Sequence, residues 1–311
     1  MSLIEIKNIS KNFGDLKAVD NVSFDVNEGE VFGLLGPNGA GKSTLISIIT
    51  TLLSQDSGEV TIDGYDLKKQ HMKVKKILGL VPQEIALYPT LTAKENLMFW
   101  GRMYGLGGKK LKQKVDEALD IAGLKDRAGD KVETYSGGMK RRINIAAALL
   151  HKPRIVIMDE PTVGIDPQSR NHILETVLKL NKEGMTVIYT SHYMEEVEFL
   201  CNKVAIMDHG KVIAMGTKEE LRKVVGDKET LNITLENIDE RVNEALESVD
   251  GVENVTAEDG NVSIIAKNAG AILASLVSRL ESKEYKIQSV DIVQPNLESV
   301  FLHLTGRALR D

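Results

Sequence analysis

The chain has 311 residues, a formal net charge of −6 and an isoelectric point near 5.7, and 42% of its residues are hydrophobic. This length predicts about two domains, and the acidic balance argues against nucleic acid as a partner, because a basic face is typical of such binders. The single cysteine, Cys201, excludes an intrachain disulfide. No apolar run reaches the roughly 18 residues of a membrane span, and the N-terminus lacks the apolar core of a signal peptide. We therefore expect a cytoplasmic protein without direct membrane insertion.

Two strands are predicted at the N-terminus, at residues 3–9 and 18–26, where apolar and polar side chains alternate imperfectly. They suit an antiparallel flap beside a larger sheet. Phe13 lies between them and has two interpretations, a core side chain or a flat surface on which an adenine ring stacks. Its position alone favours the core.

A glycine-rich segment separates a short apolar strand, residues 30–35, from a buried helix, residues 44–52. The segment reads Gly36-Pro37-Asn38-Gly39-Ala40-Gly41-Lys42-Ser43-Thr44. It fits the phosphate-loop template at every fixed position. Inward-turned backbone N–H groups and the helix N-terminus predict a polyphosphate site, so we expect the protein to bind a nucleoside triphosphate. Lys42 is expected to reach the β- and γ-phosphates, and the Ser43 hydroxyl to bind Mg²⁺.

Two more strands are predicted after this helix, at residues 57–64 and 76–83. Pro82 stops the second of them, so Gln83 stands where the strand leaves the core. Gln83 is either a solvated loop amide or a ligand of Mg²⁺ or water that senses the γ-phosphate.

Residues 90–152 have a helical character and predict a subdomain inserted between two α/β halves. Thr92 and Glu95 have the spacing of a capping box at the start of its first helix. A second helix is predicted at residues 111–122, where apolar side chains recur at helical spacing. The segment Ser136–Gly138 begins a third helix.

A continuous apolar strand at residues 153–160 ends in two carboxylates, as expected inside a parallel sheet. Downstream of a phosphate loop, Asp159 would hold Mg²⁺, and Glu160 would act as the general base that polarises the attacking water. The alternative is two acids in an ordinary turn. Asp166 is predicted as the N-cap of the next helix, residues 167–183.

The chain ends in a second predicted unit. Residues 217–227 are polar and charged and mark a boundary, so we expect a first domain at 1–220 and a second at 228–311. The order of elements in the second domain, β-α-β-β-α-β, predicts a small α+β ferredoxin-like fold. It carries no motif for catalysis or metal binding, which favours a regulatory or dimer-forming module.

The motifs of residues 1–220 occur in the order that the nucleotide-binding subunits of ABC transporters have, and the chain clearly resembles that family. The matching motifs are the phosphate loop at 36–44, the glutamine loop at Gln83, the signature at Tyr135-Ser136-Gly137-Gly138, the strand Ile155–Glu160, the aspartate loop at Gly164-Ile165-Asp166 and the switch histidine at His192. Two positions depart from the family pattern, Tyr135 in place of leucine and Val163 in place of serine.

The resemblance implies a P-loop α/β core with an antiparallel flap and a helical subdomain, and it implies a mechanism. It places the adenine ring on Phe13, against the core interpretation. Ser136, Gly137 and Gly138 of one copy would cap the ATP held by Lys42 of another copy, so ATP would join a homodimer. His192 would contact the γ-phosphate and orient water, with a core histidine as the alternative. Asp166 would communicate across the dimer.

The resemblance extends to one bacterial branch, the exporters of drugs, lipids or antibiotics. Residues 84–104 are similar to the surface that grips a separate transmembrane permease, and residues 297–306 are similar to the branch's extra C-terminal domain. The branch implies a peripheral protein on the inner face of the cell membrane, whose permease determines the transported substrate. Two alternatives stay open, a soluble ABC ATPase acting on ribosomes or DNA and a regulatory nucleotide-binding protein that does not turn over.

Overall fold

The computed structural model describes residues 2–225, 229–239, 241–258, 260–293 and 296–305. These residues divide into two compact units, one that ends at Thr217 and one that begins at Lys218. The predicted limits of the second domain, residues 228 and 311, lie outside the described residues.

The first unit is a mixed α/β body. Its strands are β1 (Ser2–Phe13), β2 (Leu16–Asn27), β3 (Val31–Leu35), β4 (Ser57–Ile62), β5 (Tyr65–Asp66), β6 (Leu78–Val81), β7 (Ile155–Asp159), β8 (Thr186–Ser191), β9 (Lys203–Asp208) and β10 (Lys211–Thr217). Its helices are α1 (Lys42–Ile49), α2 (Leu67–Ile77), α3 (Ala93–Met103), α4 (Gly108–Ala122), α5 (Gly137–Leu149), α6 (Pro167–Lys182) and α7 (Met194–Leu200).

The central sheet has the strand order β10-β9-β3-β8-β7-β6. Strands β3, β6, β7, β8 and β9 run parallel, and β10 pairs antiparallel at one edge. Every residue of β3, β7 and β8 is buried, as expected for parallel strands that are covered on both faces. The carboxyl ends of β3, β6, β7 and β8 therefore meet at one edge, where ligands bind in open α/β sheets.

A second sheet of order β2-β1-β4-β5 is antiparallel throughout and confirms the predicted flap. Its apolar side chains share one core with α1 and the central sheet, through residues such as Ile4, Val26, Ile62 and Phe32. The rings of Phe24 on β2 and Phe32 on β3 stack with centroids 4.9 Å apart. This packing places the end of β1 beside the start of α1.

The helical subdomain has its own core, to which α3, α4 and α5 contribute Leu97, Val115 and Ile143. The predicted capping box is confirmed. Thr92 Oγ1 accepts a hydrogen bond from Glu95 N at 3.1 Å, and Glu95 Oε2 accepts one from Thr92 N at 2.8 Å. These bonds satisfy N–H groups that the first turn of α3 would otherwise leave unpaired.

The strand predicted at residues 76–83 is wrong at its start, because β6 begins at Leu78 and the preceding residues belong to α2. The Asp66 side chain caps α2 by accepting a hydrogen bond from Lys69 N at 3.0 Å. Most of α2 is lysine-rich and exposed, and only Leu67 and Val74 are buried. Because so few apolar side chains mark its buried face, this helix was not predicted from the sequence.

The second unit comprises α8 (Lys218–Val225), β11 (Glu229–Leu235), α9 (Arg241–Glu247), β12 (Val252–Glu258), β13 (Asn261–Ala266), α10 (Ala269–Ser282), β14 (Ile287–Val293) and α11 (Leu297–Thr305). Its antiparallel sheet has the order β12-β13-β11-β14, which confirms the predicted ferredoxin-like pattern. The polar boundary expected at 217–227 is largely the helix α8 instead. Leu221, which is 2% exposed, anchors that helix.

Candidate nucleotide-binding site

The phosphate loop connects β3 to α1 and lines a cavity of about 530 Å³. Most residues predicted to bind nucleotide contribute to it: Phe13, Pro37, Asn38, Gly39, Ala40, Gly41, Lys42, Ser43, Thr44, Gln83 and Glu160. The sequence did not indicate four further lining residues, Leu16, Lys17, Ala18 and His209. Three of the four belong to β2 or the turn before it, so the flap forms one wall of the cavity.

Two glycines of the loop are required by close backbone approach. A Cβ on Gly41 would lie 2.2 Å from the Ala18 carbonyl oxygen, and the φ of Gly41 is 101°. A Cβ on Gly36 would lie 2.4 Å from the Met207 carbonyl oxygen. The loop is therefore pressed between β2 and β9, and the N-terminus of α1 faces the cavity as an anion site.

Lys42 is 4% exposed, and its ammonium is held in place by backbone and by a carboxylate. Nζ donates to the carbonyl oxygens of Gly36 at 2.7 Å and Pro37 at 3.2 Å. It also lies 3.2 Å from Glu160 Oε1. This cradle directs a buried positive charge toward the place where phosphate would bind.

Glu160 is the point at which the three predicted catalytic side chains meet. Its Oε2 accepts a hydrogen bond from Gln83 Nε2 at 3.2 Å and lies 3.6 Å from His192 Nδ1. His192 Nδ1 is buried and has no hydrogen-bond partner in the described residues. Glu160 itself has a φ of 45°, in the left-handed region that few non-glycine residues adopt.

Asp159 lies beneath this cluster and does not line the cavity. Its Oδ1 accepts a hydrogen bond from Thr190 Oγ1 at 2.7 Å, and Thr190 Oγ1 accepts one from Glu160 N at 2.9 Å. Thr190, at the end of β8, thus fixes both carboxylate-bearing residues at the end of β7. This role of Thr190 was not predicted from the sequence.

The oxygen-bearing side chains expected around Mg²⁺ are Ser43, Gln83 and Asp159. Within the described residues no group of three or more His, Cys, Asp and Glu side chains could hold a metal. Mg²⁺ usually takes one or two protein oxygens and completes its shell with phosphate and water. This sparse set of hard oxygen donors fits a cation that arrives with a nucleotide.

Phe13 is 50% exposed at the end of β1, so the core interpretation is wrong. Asp56 holds this end of the strand, because its carboxylate accepts hydrogen bonds from Lys11 Nζ and Asn12 N, both at 2.7 Å. The Lys11 ammonium lies 5.7 Å from the centroid of the Phe13 ring. A half-exposed ring beside a phosphate loop suits a planar base.

The signature segment lies away from the phosphate loop of the same chain. Ser136 caps α5 by accepting a hydrogen bond from Met139 N at 3.2 Å, and both Ser136 and Gly137 are exposed. A Cβ on Gly138 would lie 2.0 Å from Ser169 Oγ, so α5 abuts the first turn of α6. None of these residues lines the phosphate-loop cavity.

Asp166 caps α6 next to the signature segment. Its Oδ1 accepts a hydrogen bond from Ser169 N at 2.9 Å, and this bond lowers the pKa of Asp166 below its usual value. The N-termini of α5 and α6 therefore lie side by side, and the exposed first turn of α5 presents the positive end of a helix dipole, which is suited to an anion. Of the two positions that depart from the family pattern, Tyr135 is buried and donates its hydroxyl to the Arg127 carbonyl at 2.6 Å, and Val163 is half-buried.

Sequence reasoning missed a link between α5 and the loop that carries Gln83. Arg141 on α5 is 4% exposed and donates to the carbonyl oxygens of Pro82 at 2.8 Å and Gln83 at 2.5 Å. One turn further, Asn144 Oδ1 accepts a hydrogen bond from Ala86 N at 3.1 Å. The helix that begins at Ser136 thus fixes the backbone of the Gln83 loop.

Residues 84–104 expose several large apolar side chains. Ile85, Tyr88, Met103 and Tyr104 are 36%, 46%, 67% and 37% exposed. The loop beneath them is held by Trp100 Nε1, which donates to the Ala86 carbonyl at 3.1 Å. Of the helices in the described ranges, none has both the length and the apolarity to cross a bilayer.

Two family profiles match the chain, and each covers one of its parts. The ABC transporter family matches residues 19–163, and the C-terminal domain of the DrrA1-3-like ATP-binding proteins matches residues 216–305. The first match runs from β2 of the flap to Val163, directly before the aspartate loop.

Curated relatives match over nearly the full chain. The linearmycin resistance ATP-binding protein LnrL of Bacillus subtilis is 53% identical, over 99% of this chain and 100% of the relative. The daunorubicin resistance ATP-binding protein DrrA3 of Streptomyces coeruleorubidus is 35% identical, over 97% of this chain and 96% of the relative. The Nod factor export ATP-binding protein I of Rhizobium etli is 35% identical, over 99% of this chain and 95% of the relative.

Solved structures resemble the first unit. A dimeric ATP-binding cassette in a post-hydrolysis state, bound to ADP and phosphate, matches with a TM-score of 0.63 and 30% identity, over 69% of this chain and 98% of that one. An ATP-binding subunit of an ABC transporter matches with a TM-score of 0.66 and 30% identity, over 72% and 94%.

Proposed function

This chain belongs to the ABC transporter ATP-binding proteins, and we propose that two copies of it close around ATP to power export through a separate membrane permease. The chain is an ATP-hydrolysing exporter subunit, as its relatives in drug resistance and Nod factor export are ATP-binding proteins. These relatives do not favour action on ribosomes or DNA. The observation that carries the proposal is the convergence of Gln83 and His192 on Glu160, directly beside Lys42.

ATP would enter the phosphate-loop cavity with its base against Phe13 and its phosphates at the N-terminus of α1. Lys42 would exchange its contact with Glu160 for the β- and γ-phosphates, because a phosphate is the stronger charge partner. This exchange would free Glu160 to accept a proton from the attacking water. His192 would contact the γ-phosphate and orient the water, and Gln83 would bind Mg²⁺ or water and sense the γ-phosphate.

We propose that Ser43, Gln83 and Asp159 hold Mg²⁺, directly or through water. When bound, Mg²⁺ neutralises charge on the β- and γ-phosphates. Asp159 is already oriented for this role by its bond from Thr190, which leaves its second carboxylate oxygen available.

The second anion surface, at Ser136, Gly137 and Gly138, would complete the site of a partner copy. It is exposed and lies outside the phosphate-loop cavity of its own chain. A head-to-tail homodimer would bring it onto the γ-phosphate of the other copy, with Asp166 at the seam. Moving such a pair from mostly open to mostly closed requires about 5.5 kcal/mol of differential binding, which two ATP molecules share.

The exposed apolar surface at residues 84–104 would receive the permease. Its location on α3 and the Gln83 loop connects it to the nucleotide site through Arg141. The chain would then work as a peripheral protein on the inner face of the membrane. We assign residues 1–220 to the ATPase domain and residues 228–311 to an accessory domain.

A trapped dimer tests the composite site. In a Glu160→Gln background, ATP should convert the full chain from monomer to dimer in light scattering, and ADP should not. Ser136→Arg in that background should leave ATP bound but prevent the dimer. The long arginine side chain would occupy the surface that is proposed to cap the partner's ATP. Ser54→Arg, at another exposed serine outside the cavity, should dimerise normally. A Ser136→Arg chain that dimerises as well as Ser54→Arg would contradict the composite site.

A matched pair of methionines tests the permease surface. Met103 and Met72 are 67% and 60% exposed on α3 and α2. Met103→Asp should reduce co-sedimentation of the chain with vesicles that contain its permease, and Met72→Asp should not. Equal retention of both variants would contradict the assignment of residues 84–104.

A further inference from the structure

A buried carboxylate that the proposed mechanism does not use lies on α7. The Glu196 side chain has 0% exposure, and a charge in that position must be paired and hydrogen-bonded to be tolerated. Its Oε1 accepts a hydrogen bond from Arg170 Nε at 2.6 Å. Its Oε2 accepts three bonds, from Thr162 Oγ1 at 2.8 Å, Tyr189 OH at 2.8 Å and Ser191 Oγ at 3.0 Å.

Two of these donors flank the residues proposed to act on the γ-phosphate. Thr162 is two residues after Glu160 and is itself 3% exposed. Ser191 directly precedes His192, and its Oγ also accepts a hydrogen bond from Tyr193 N at 2.9 Å. The backbone on both sides of His192 is therefore fixed through one serine hydroxyl, and that hydroxyl is fixed by Glu196.

The Glu196 Oε2 atom thus joins two loops, each of which follows one of two neighbouring strands. One loop follows β7 and carries Glu160, and the other follows β8 and carries His192. The separation of 3.6 Å between Glu160 Oε2 and His192 Nδ1 depends on how these loops are held. Arg170 balances the charge from α6 and adds a contact between its guanidinium and the Tyr193 ring, at 5.1 Å from the centroid.

We infer that Glu196 is a positioning residue for ATP hydrolysis, which sets Glu160 and His192 relative to each other through Thr162 and Ser191. The inference rests on the proposed roles of Glu160 and His192. It predicts that Glu196 affects the chemical step and leaves nucleotide binding intact, because none of its four partners lines the phosphate-loop cavity. A displacement of about 1 Å at such a site is sufficient to cost on the order of 100-fold in rate.

The neighbouring glutamate provides a matched control. The Glu195 side chain is 90% exposed, and its carboxylate lies 3.6 Å from Arg170 Nη2. We would measure kcat, KM and the stoichiometry of bound ATP for the full chain with Glu196→Gln and with Glu195→Gln. Glu196→Gln should lower kcat about ten- to 100-fold and change KM and stoichiometry by less than about twofold. Glu195→Gln should match the wild type.

Two outcomes would overturn the inference. One is a kcat for Glu196→Gln equal to that for Glu195→Gln. The other is a loss of bound ATP in proportion to the loss of kcat, because a residue with a purely structural role would lower both together. The proposed function fails separately, if Glu160→Gln hydrolyses ATP at the wild-type rate.

A second pair of variants applies if Glu196→Gln does not fold. Thr162→Val and Ser191→Ala each remove one donor to the same oxygen. Each should lower kcat at unchanged KM, and the double variant should lose less than the product of the two single losses, because both act through Glu196. Fully independent effects, or no effect, would contradict the inference.

Discussion

The Lys42 ammonium lies 3.2 Å from the Glu160 carboxylate, and both side chains are almost fully buried. The cation expected to bind phosphate and the base expected to activate water therefore neutralise each other before nucleotide arrives. A buried ion pair is costly to break unless a new partner replaces the lost one. In the proposed mechanism the γ-phosphate is such a partner, so the entry of the nucleotide would itself release the base.

This ion pair predicts opposite effects of Glu160→Gln on turnover and on binding. Turnover should fall by at least about 100-fold, in the range for loss of a general base. ATP affinity should stay equal or rise, because Lys42 no longer has a competing carboxylate. Hydrolysis assays and equilibrium nucleotide titration measure the two effects, with Glu175→Gln on the exposed face of α6 as the control. Near-normal hydrolysis would remove Glu160 from its role.

The half-exposed ring of Phe13 predicts a contact with adenine. Phe13→Ala should weaken ATP binding by about 1–2 kcal/mol, the lower range for a base stacked on an aromatic ring. The affinity for inorganic tripolyphosphate should not change, because it has no base. Phe13→Trp should restore ATP affinity, and Phe199→Ala, at a phenylalanine 57% exposed on α7, should have no effect. An equal loss of tripolyphosphate affinity would show that Phe13 acts on the loop instead.

The contacts of Arg141 predict a loss of turnover that its neighbour does not share. Both Arg141→Ala and Arg142→Ala remove charge-assisted hydrogen bonds to backbone carbonyls, and each should lower stability by about 1.5–3 kcal/mol. Only Arg141 holds the Gln83 backbone, so only Arg141→Ala should lower kcat at saturating ATP. Chemical unfolding and ATPase assays separate the two effects. Equal kcat values for both variants would contradict the link.

His151 predicts a pH dependence of stability. It stacks on Tyr104 with centroids 4.0 Å apart, and burial lowers its pKa below the usual value of 6.5. The folded protein therefore binds fewer protons than the unfolded chain just below pH 6.5. The contribution of His151 to stability is fully present above that pH and is lost as the pH decreases.

The urea midpoint at about pH 7.5 and about pH 5.5 measures this effect on either side of the ordinary histidine range. His151→Gln should unfold earlier at the higher pH but lose less on acidification than the wild type. His71→Gln, at an exposed histidine of α2, should keep the wild-type dependence. If His151→Gln keeps the full pH dependence of stability that the wild type has, His151 is not the source of that dependence.

The sequence predicted the parts of the site that depend on local spacing. The phosphate loop, the carboxylates at the end of β7 and the caps at Thr92 and Asp166 are each defined within a few residues, so a pattern is sufficient. The phosphate loop and these carboxylates come together because the parallel strands that precede them end at the same edge of the sheet. Phe13 was assigned from position to the core and from resemblance to the base; its exposure excludes the core, and the contact with the base stays a prediction.

The supporting residues could not be found in this way. Arg141 contacts carbonyls 58 and 59 residues away in sequence, and Glu196 meets Thr162 across 34 residues. In the sequence Arg141 is an arginine in a helix, and Glu196 is one of several glutamates in α7. Arginine and glutamate side chains are usually exposed, so neither residue stands out as buried. The helices α2 and α8 were missed for a related reason, because few of their side chains are buried.

In the proposed dimer, helix α5 would serve two pockets at once. Its first turn would be the lid offered to a neighbour, and Arg141, one turn further along, donates to the backbone carbonyl of Gln83 in its own chain. A copy whose own pocket is disturbed at Gln83 would also present a displaced lid. In a mixed pair of one intact and one damaged copy, the intact pocket should therefore work below its normal rate, and its output would report on a defect that it does not itself contain.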